Sequence, residues 1–325
     1  MKTVRWGIIG CGNVTEVKSG PALQKADHSA LVAVMRRNGA KAKDYAERHG
    51  VPKWYDDADA LINDPEIDAV YIATPPDSHL RYALAVATAG KPVYVEKPMA
   101  RNYAECRTMI DACQNAGVPL WVAYYRRALP RFLKIKELVD TGAIGDVQLA
   151  SITFRQPPRV IADPNDIPWR YIPEIAGGGQ YVDLASHMLD LFDFILGPIS
   201  RVEGSASNQS GQYLVEDIVT GSFVFESGVH GVGSWCFTSF DRCDINEIVG
   251  TRGTITYSCF DESPVVLSTN QGVQEFSINN PPHIQQPLIQ TVVNDLLGRD
   301  RCASTGATAA RTNWVMDQML ADFYS

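Results

Sequence analysis

The sequence predicts an α/β fold: a doubly wound parallel sheet over residues 1–123, followed by an α/β domain over 124–325 built on a large, mainly antiparallel open sheet. Three observations carry this. Up to about residue 122, short continuous apolar runs alternate with amphipathic stretches, the pattern of parallel strands covered on both faces by helices. The first run feeds a glycine turn. Beyond residue 200, period-two alternation with Gly-rich turns replaces that texture. A chain of 325 residues, 45% of them hydrophobic, is long enough to bury two cores.

The expected strands of the first half are Val4–Ile9, Leu31–Met35, Ala69–Ala73, Val93–Glu96 and Leu120–Ala123, with helices over 14–25, 40–49, 57–62, 78–89 and 102–116. Gly50, Gly90 and Gly117 stand where three of those helices should stop. Ligands of such sheets sit at the carboxyl ends of the strands, here the loops starting at Gly10, Arg36, Thr74, Glu96 and Tyr124. From residue 124 the order is a helix over 129–141, a strand over 146–155, a loop through Pro157, Pro158, Pro164 and Pro168, and a strongly apolar helix over 180–196. Strands follow at about 200–207, 213–225, 229–238, 243–250, 253–258, 264–268 and 273–277. Helices over 284–297 and 306–323 close the chain, the last with the option of packing back onto the first domain.

The glycine turn, Gly10-Cys11-Gly12-Asn13-Val14-Thr15, has the spacing of a dinucleotide-binding fingerprint. Gly10 would make the tight turn and Gly12 would let a pyrophosphate approach the backbone. The N–H groups opening the next helix, at Asn13 and Val14, would hold the negative charge. Thr15 stands where the fingerprint has Gly or Ala, which removes part of the helix–strand packing logic. After the second strand the fingerprint expects an acidic residue for the ribose of NAD, and the chain has Arg36-Arg37-Asn38. Two guanidinium groups offer charge-assisted hydrogen bonds to a 2′-phosphate, so NADP(H) is expected ahead of NAD(H). Arginines solvating a surface loop are the alternative.

The net charge of −8 disfavours non-specific attraction to nucleic acid or an anionic membrane, so the partner is expected to be a small molecule. Seven cysteines without CxxC spacing suit reduced thiols, and no metal site is expected. The sequence starts directly on a strand, and no apolar run approaches the ~20 residues that span a bilayer. Cytoplasmic localisation is the resulting expectation. If the sheet of the second half exposes an apolar face, a homodimer or homotetramer should bury it.

Two places can carry chemistry. Lys97, in Glu96-Lys97-Pro98, follows the fourth strand on the ligand edge, with proline restricting its backbone. A solvated strand-end lysine is the alternative. Asp183 and His187, behind Gly177-Gly178-Gly179, are four residues apart and share one helical face. His187 can exchange a proton near neutral pH, and Asp183 can orient it or bind substrate. The alternative is a core helix whose histidine is merely hydrogen-bonded.

The turn at Gly10, Ala73-Thr74-Pro75-Pro76-Asp77-Ser78-His79, Glu96-Lys97-Pro98 and the glycine-rich run before Asp183 and His187 together resemble the glucose–fructose oxidoreductase / inositol dehydrogenase / rhizopine-catabolism oxidoreductase (Gfo/Idh/MocA) family. The resemblance covers nearly the whole chain. It implies a Rossmann domain followed by an open-sheet α/β domain, with Lys97, Asp183 and His187 in the active site. It places Glu96 and Lys97 near the nicotinamide ribose and the reacting carbonyl, and Thr74, Pro75 and His79 along the cofactor. Trp169-Arg170 is similar to the Trp-Arg pair of the NADP-dependent anhydrofructose reductase and dihydrodiol dehydrogenase branches.

The implied reaction moves hydride between nicotinamide and a carbonyl or hydroxyl carbon of a sugar, polyol or related small molecule. His187 would exchange the hydroxyl proton, and Lys97 would stabilise oxyanion character on the same oxygen. Tyr125, Arg126 and Arg127 are further sugar-lining candidates, with packing or salt bridges as their alternative. An NAD-linked sugar or inositol dehydrogenase, a nicotinamide-assisted glycosidase and a non-catalytic sensor are the competing functions within the resemblance.

Overall fold

The computed structural model describes residues 3–159 and 167–325. It contains two compact units, Met1–Leu129 with Pro281–Ala310, and Pro130–Asn280 with Arg311–Ser325.

In the first unit, β1 (Val4–Ile9), β2 (Ser29–Met35), β3 (Lys53–Tyr55), β4 (Ala69–Ile72), β5 (Val93–Val95) and β6 (Leu120–Val122) form a six-stranded parallel sheet in the order β3-β2-β1-β4-β5-β6. The connection reverses direction between β1 and β4, and the carboxyl ends of these two strands flank the crevice in which such sheets take ligands. Every residue of β4, β5 and β6 is buried, which is why these strands read as unbroken apolar runs. β3 lies outside the strands expected from the sequence. It is a three-residue edge strand with a lysine and an exposed Trp54, too short and too polar to register as a buried run.

Helices α1 (Gly20–Lys25), α2 (Gly39–His49), α3 (Ala58–Ile62), α4 (His79–Thr88) and α5 (Tyr103–Asn115) fall between these strands. Asn38, Asp57 and Asn102 cap α2, α3 and α5 by accepting from the N–H groups of Lys41, Ala60 and Glu105. The helix expected over 14–25 is in two parts, a π-helical turn over Thr15–Ser19 leading into α1. The Gly20 N–H and the Tyr45 hydroxyl both donate to the Thr15 carbonyl, the latter at 2.8 Å. A Cβ on Gly20 would lie 2.3 Å from both oxygens, so only glycine permits this widened turn.

The second unit contains α6 (Pro130–Asp140), β7 (Val147–Arg155), a 3-10 turn at Trp169–Tyr171, α7 (Pro173–Ala176) and α8 (Gln180–Leu196). The strands β8 (Ile199–Ser207), β9 (Ile218–Phe225), β10 (His230–Cys236), β11 (Cys243–Gly250), β12 (Gly253–Tyr257), β13 (Val265–Thr269) and β14 (Gly272–Phe276) complete an eight-stranded sheet in the order β14-β13-β12-β11-β7-β10-β9-β8. All neighbours are antiparallel except β7 and β10. Ala150, Ile152 and Phe154 of β7 are buried while Leu149 is exposed, the alternation of a sheet with one covered face. On the covered face Tyr181 and Phe192 of α8 meet Trp235 and the pair Phe223 and Phe225.

The strand expected over 213–225 begins only at Ile218. Ahead of it, Tyr213 and Val215 cluster with Tyr171, and the Asp217 carboxylate accepts from the Gln209 and Ser210 N–H groups at 2.8 Å each, which bends the backbone out of the sheet. Pro164 of the proline-rich loop lies outside the described residues. Helix α9 (Gln286–Leu296) belongs to the first unit, where Asp295 accepts from the Trp121 indole N–H at 2.9 Å. Helix α10 (Gly306–Leu320) ends the chain's regular structure, and from Arg311 on its residues belong to the second unit. Among the described residues no helix is long and apolar enough to cross a membrane.

Candidate active site

In the first unit the glycine turn is built as the fingerprint requires. Gly10 has φ +93°, and a Cβ there would lie 2.7 Å from Thr74 Cγ2, so the turn after β1 closes directly on the loop after β4. The Gly10 and Cys11 N–H groups both donate to the Met35 carbonyl at the end of β2. The N–H groups that follow open a helical turn and have no preceding turn to bond to. In front of Gly12 the space is open, because a Cβ there would meet only the Gly10 carbonyl oxygen, at 3.9 Å. These residues fit a dinucleotide pyrophosphate laid against the backbone. Thr15, the departure from the fingerprint, is buried with its hydroxyl donating to the Gly12 carbonyl at 2.8 Å, so it braces the turn.

Arg36 is half-buried, with Nη1 3.4 Å from the Cys11 carbonyl oxygen, and Arg37 is exposed beside it. Burial pushes the Cys11 thiol up to about 11, against the opposing pull of the Arg36 charge. His79 is fully buried. Its Nε2 lies 2.7 Å from the Thr74 carbonyl oxygen, and its Nδ1 lies 3.2 Å from those of Pro98 and Met99. It ties the loop after β4 to the loop after β5 from beneath, and burial holds it below the usual histidine range.

Glu96, at the end of β5, is buried, with the Tyr71 hydroxyl donating to it at 2.5 Å, the Gln285 amide at 2.8 Å and the Lys97 backbone N–H at 3.1 Å. Burial and the neighbouring Glu96 carboxylate push the Tyr71 phenol well above its ordinary range. Lys97 is half-buried, and its bond to Pro98 is cis. Tyr125, Arg126 and Arg127 form a buried 3-10 turn after β6, in which Arg126 donates to the Tyr125 hydroxyl at 2.9 Å and Arg127 to the Ala303 carbonyl at 3.1 Å. Tyr71 and Gln285 were not among the sequence candidates. Gln285 stands 189 residues from Glu96, and nothing in its surroundings in the sequence marks it.

In the second unit, α8 brings Asp183 and His187 onto one face, His187 buried and Asp183 half-buried. Arg170 Nε donates to Asp183 at 3.1 Å, while the same guanidinium lies 4.2 Å from the Trp169 ring centroid. The Trp169–Tyr171 turn is held to α8 a second time, by the Gln180 amide donating to the Tyr171 hydroxyl at 2.5 Å. The His187 ring meets Phe260 edge-on at 6.0 Å. Phe260 is fixed in turn by Asp244, which accepts from the Phe260 N–H at 2.7 Å and the Ser258 hydroxyl at 2.5 Å, and by Arg131, which donates to the Asp261 carbonyl.

The start of α8 is capped from outside the helix. Glu216 is almost fully buried, accepting from the Gly179 N–H at 2.8 Å and from the Tyr324 hydroxyl at 2.6 Å. Burial outweighs both bonds and pushes its carboxyl up to about 7. Neither is a candidate from sequence: Glu216 falls within the single strand expected over 213–225, and Tyr324 stands 108 residues away.

Residues 4–124 match the family model described as an oxidoreductase family with an NAD-binding Rossmann fold, and residues 132–256 match the GFO/IDH/MocA C-terminal domain. The chain is 43% identical over 315 residues to oxidoreductase P35 of Formosa agariphila, covering 97% of each. It is 28% identical over 308 residues to 1,5-anhydro-D-fructose reductase of Ensifer adhaerens, covering 93% of this chain and 91% of the relative. The fold superimposes with a TM-score of 0.88 at 23% identity on a levoglucosan dehydrogenase solved with NADH and levoglucosan, covering 98% of this chain and 97% of the other. With a glycine turn open to a pyrophosphate in one unit, an Asp-x-x-x-His helix face in the other and both family models matched in order, the chain belongs to the GFO/IDH/MocA oxidoreductase family.

Proposed function

We propose that the protein is an NADP(H)-dependent oxidoreductase acting on a carbonyl or hydroxyl carbon of a sugar, polyol or related hydroxy-carbonyl compound. The observation that carries the cofactor assignment is the Arg36-Arg37 pair after β2, with the Arg36 guanidinium reaching back to the glycine turn where a ribose-binding carboxylate would otherwise stand. Gly10, Gly12, Asn13 and Val14 would hold the pyrophosphate and Thr74 and Pro75 would flank it, with His79 bracing their loop from beneath. Glu96 and Lys97 would stand by the nicotinamide ribose, and Trp169 and Arg170 would complete the cofactor's surroundings. The substrate class is supported by the relative described as a 1,5-anhydro-D-fructose reductase.

When bound, the nicotinamide supplies or takes up the hydride. In oxidation His187 accepts the substrate hydroxyl proton, and in reduction it returns it. Lys97 stabilises negative charge developing on the same oxygen. Asp183, held by Arg170, orients the imidazole or accepts a hydroxyl of the sugar. Tyr125, Arg126 and Arg127 would reach the substrate only through whatever polar edge their buried turn presents.

Steady-state kinetics with parallel cofactor binding test this. Lys97→Ala and His187→Ala should each lower turnover at least ~100-fold while NADPH affinity stays within a few-fold. Asp183→Asn should impair turnover or substrate binding. Near-normal turnover in both of the first two variants would remove these residues from the chemistry.

A further inference from the structure

We propose that Glu216 is a positioning residue for the reactive face of α8: its carboxylate caps the helix from outside and sets where Asp183 and His187 stand. The inference rests on the active-site reading above. The N-cap of α8 is Gly179, which has no side chain with which to cap the helix, and the Glu216 carboxylate reaches its N–H from 37 residues away. The glycine is required by this arrangement. A Cβ on Gly179 would lie 2.8 Å from the Glu216 carbonyl oxygen and 2.9 Å from Val215 Cγ2, so only a bare backbone lets the helix start against the 215–216 segment.

From that anchor the path to the reactive side chains runs through the helix itself. The Gly179 carbonyl accepts from the Asp183 N–H at 3.4 Å, and His187 stands one helical turn further on the same face. Moving Gly179 therefore moves the turn that carries Asp183. Glu216 is itself immobilised at both ends. Tyr324 donates to its second oxygen, and the backbone beside it is held by the Asp217 bonds to Gln209 and Ser210. A buried carboxylate held this tightly, 33 residues beyond Asp183 in sequence, links α8 to two segments that carry no chemistry of their own.

The test compares Glu216→Leu, Glu216→Gln and Tyr324→Phe with His187→Ala in the full-length protein. It reads kcat, KM, NADPH affinity and the imidazole NMR signals, the His187 signal being the one that disappears in His187→Ala. Glu216→Gln keeps an acceptor for the Gly179 N–H and should hold kcat within ~3-fold with the His187 signal in place. Glu216→Leu should lower kcat at least ~10-fold, the lower end of what a misplaced group costs, with NADPH affinity unchanged and the His187 signal displaced. A folded Glu216→Leu protein with normal kcat and an unmoved signal would overturn the proposal. If Glu216→Leu does not fold, Tyr324→Phe decides, since it should displace the same signal and lower kcat, and no change in either would be equally fatal. A His187→Ala protein with normal turnover would instead strike at the active-site reading, and the NMR signal would still report whether Glu216 positions the helix.

Discussion

Replacing Glu216 by glutamine should make the protein more stable at alkaline pH than the unaltered chain and leave it equal in mild acid. The side chain is almost fully buried, and its carboxyl rises from an ordinary 4.5 to about 7 because burial outweighs the bonds from Gly179 and Tyr324. Between those two values the folded chain holds a proton that the unfolded chain has released, so stability falls as pH climbs through the window and levels off above about 7. At ~1.4 kcal/mol per pH unit the whole window is worth roughly 3 kcal/mol. Glutamine is nearly isosteric with the protonated acid and does not titrate. Urea unfolding of both proteins across pH 4.5 to 8 would measure it. The glutamine protein should match the original near the bottom of that range and exceed it by roughly 2–3 kcal/mol at the top, with most of the divergence below pH 7. A difference that stays constant with pH would show that Glu216 remains ionised throughout, and the burial argument would fail. Tyr324→Phe removes a donor to the ionised form and should extend the divergence to higher pH, its onset still set by the unfolded value of 4.5.

Replacing Arg36 and Arg37 together by neutral residues should weaken NADP(H) binding while barely touching NAD(H), because only the former carries the 2′-phosphate; equal losses, or an NAD preference in the original, would defeat the assignment. Gly204→Ala should destabilise the fold by ~1–3 kcal/mol through overpacking, because its Cβ would lie 2.6 Å from Met319 Cα and α10 lies directly over β8 there. An unchanged melting temperature would show that the helix can lift away freely. Leu149, Val232 and Ile245 are exposed on the adjacent strands β7, β10 and β11, and their register puts all three on the uncovered face of the sheet. A homodimer or homotetramer should bury this face, and Val232→Glu should dissociate it; sedimentation as a monomer at micromolar concentration would count decisively against the interface.

The parallel sheet and the glycine turn are legible in the amino-acid pattern alone. β4, β5 and β6 are buried on both faces, so each residue must be apolar, and the pattern survives without knowledge of its neighbours. The same holds for α8, whose apolar stripe and the Asp183/His187 spacing follow from helical periodicity alone. Local rules reach that far. They do not reach β3, three residues long with none of them buried and fixed as a strand by pairing with β2, or the bend before β9, which depends on Asp217 capping the Gln209 and Ser210 N–H groups.

What stands behind the candidate residues comes from packing and has no trace in the local pattern. Glu96 is held by Tyr71 and by Gln285, and Gly179 by Glu216 and thence Tyr324. The same applies to His79, which the family resemblance places along the cofactor and which is buried with carbonyl oxygens from two loops at its ring nitrogens. The reason is physical. A buried polar group must find a partner wherever the fold brings one, and the separations here, 189 residues for Gln285 and 108 for Tyr324, leave no periodicity to read. Hydrophobic patterning is written locally because each side chain faces its own core, whereas hydrogen-bond partners are chosen by packing once the chain has folded.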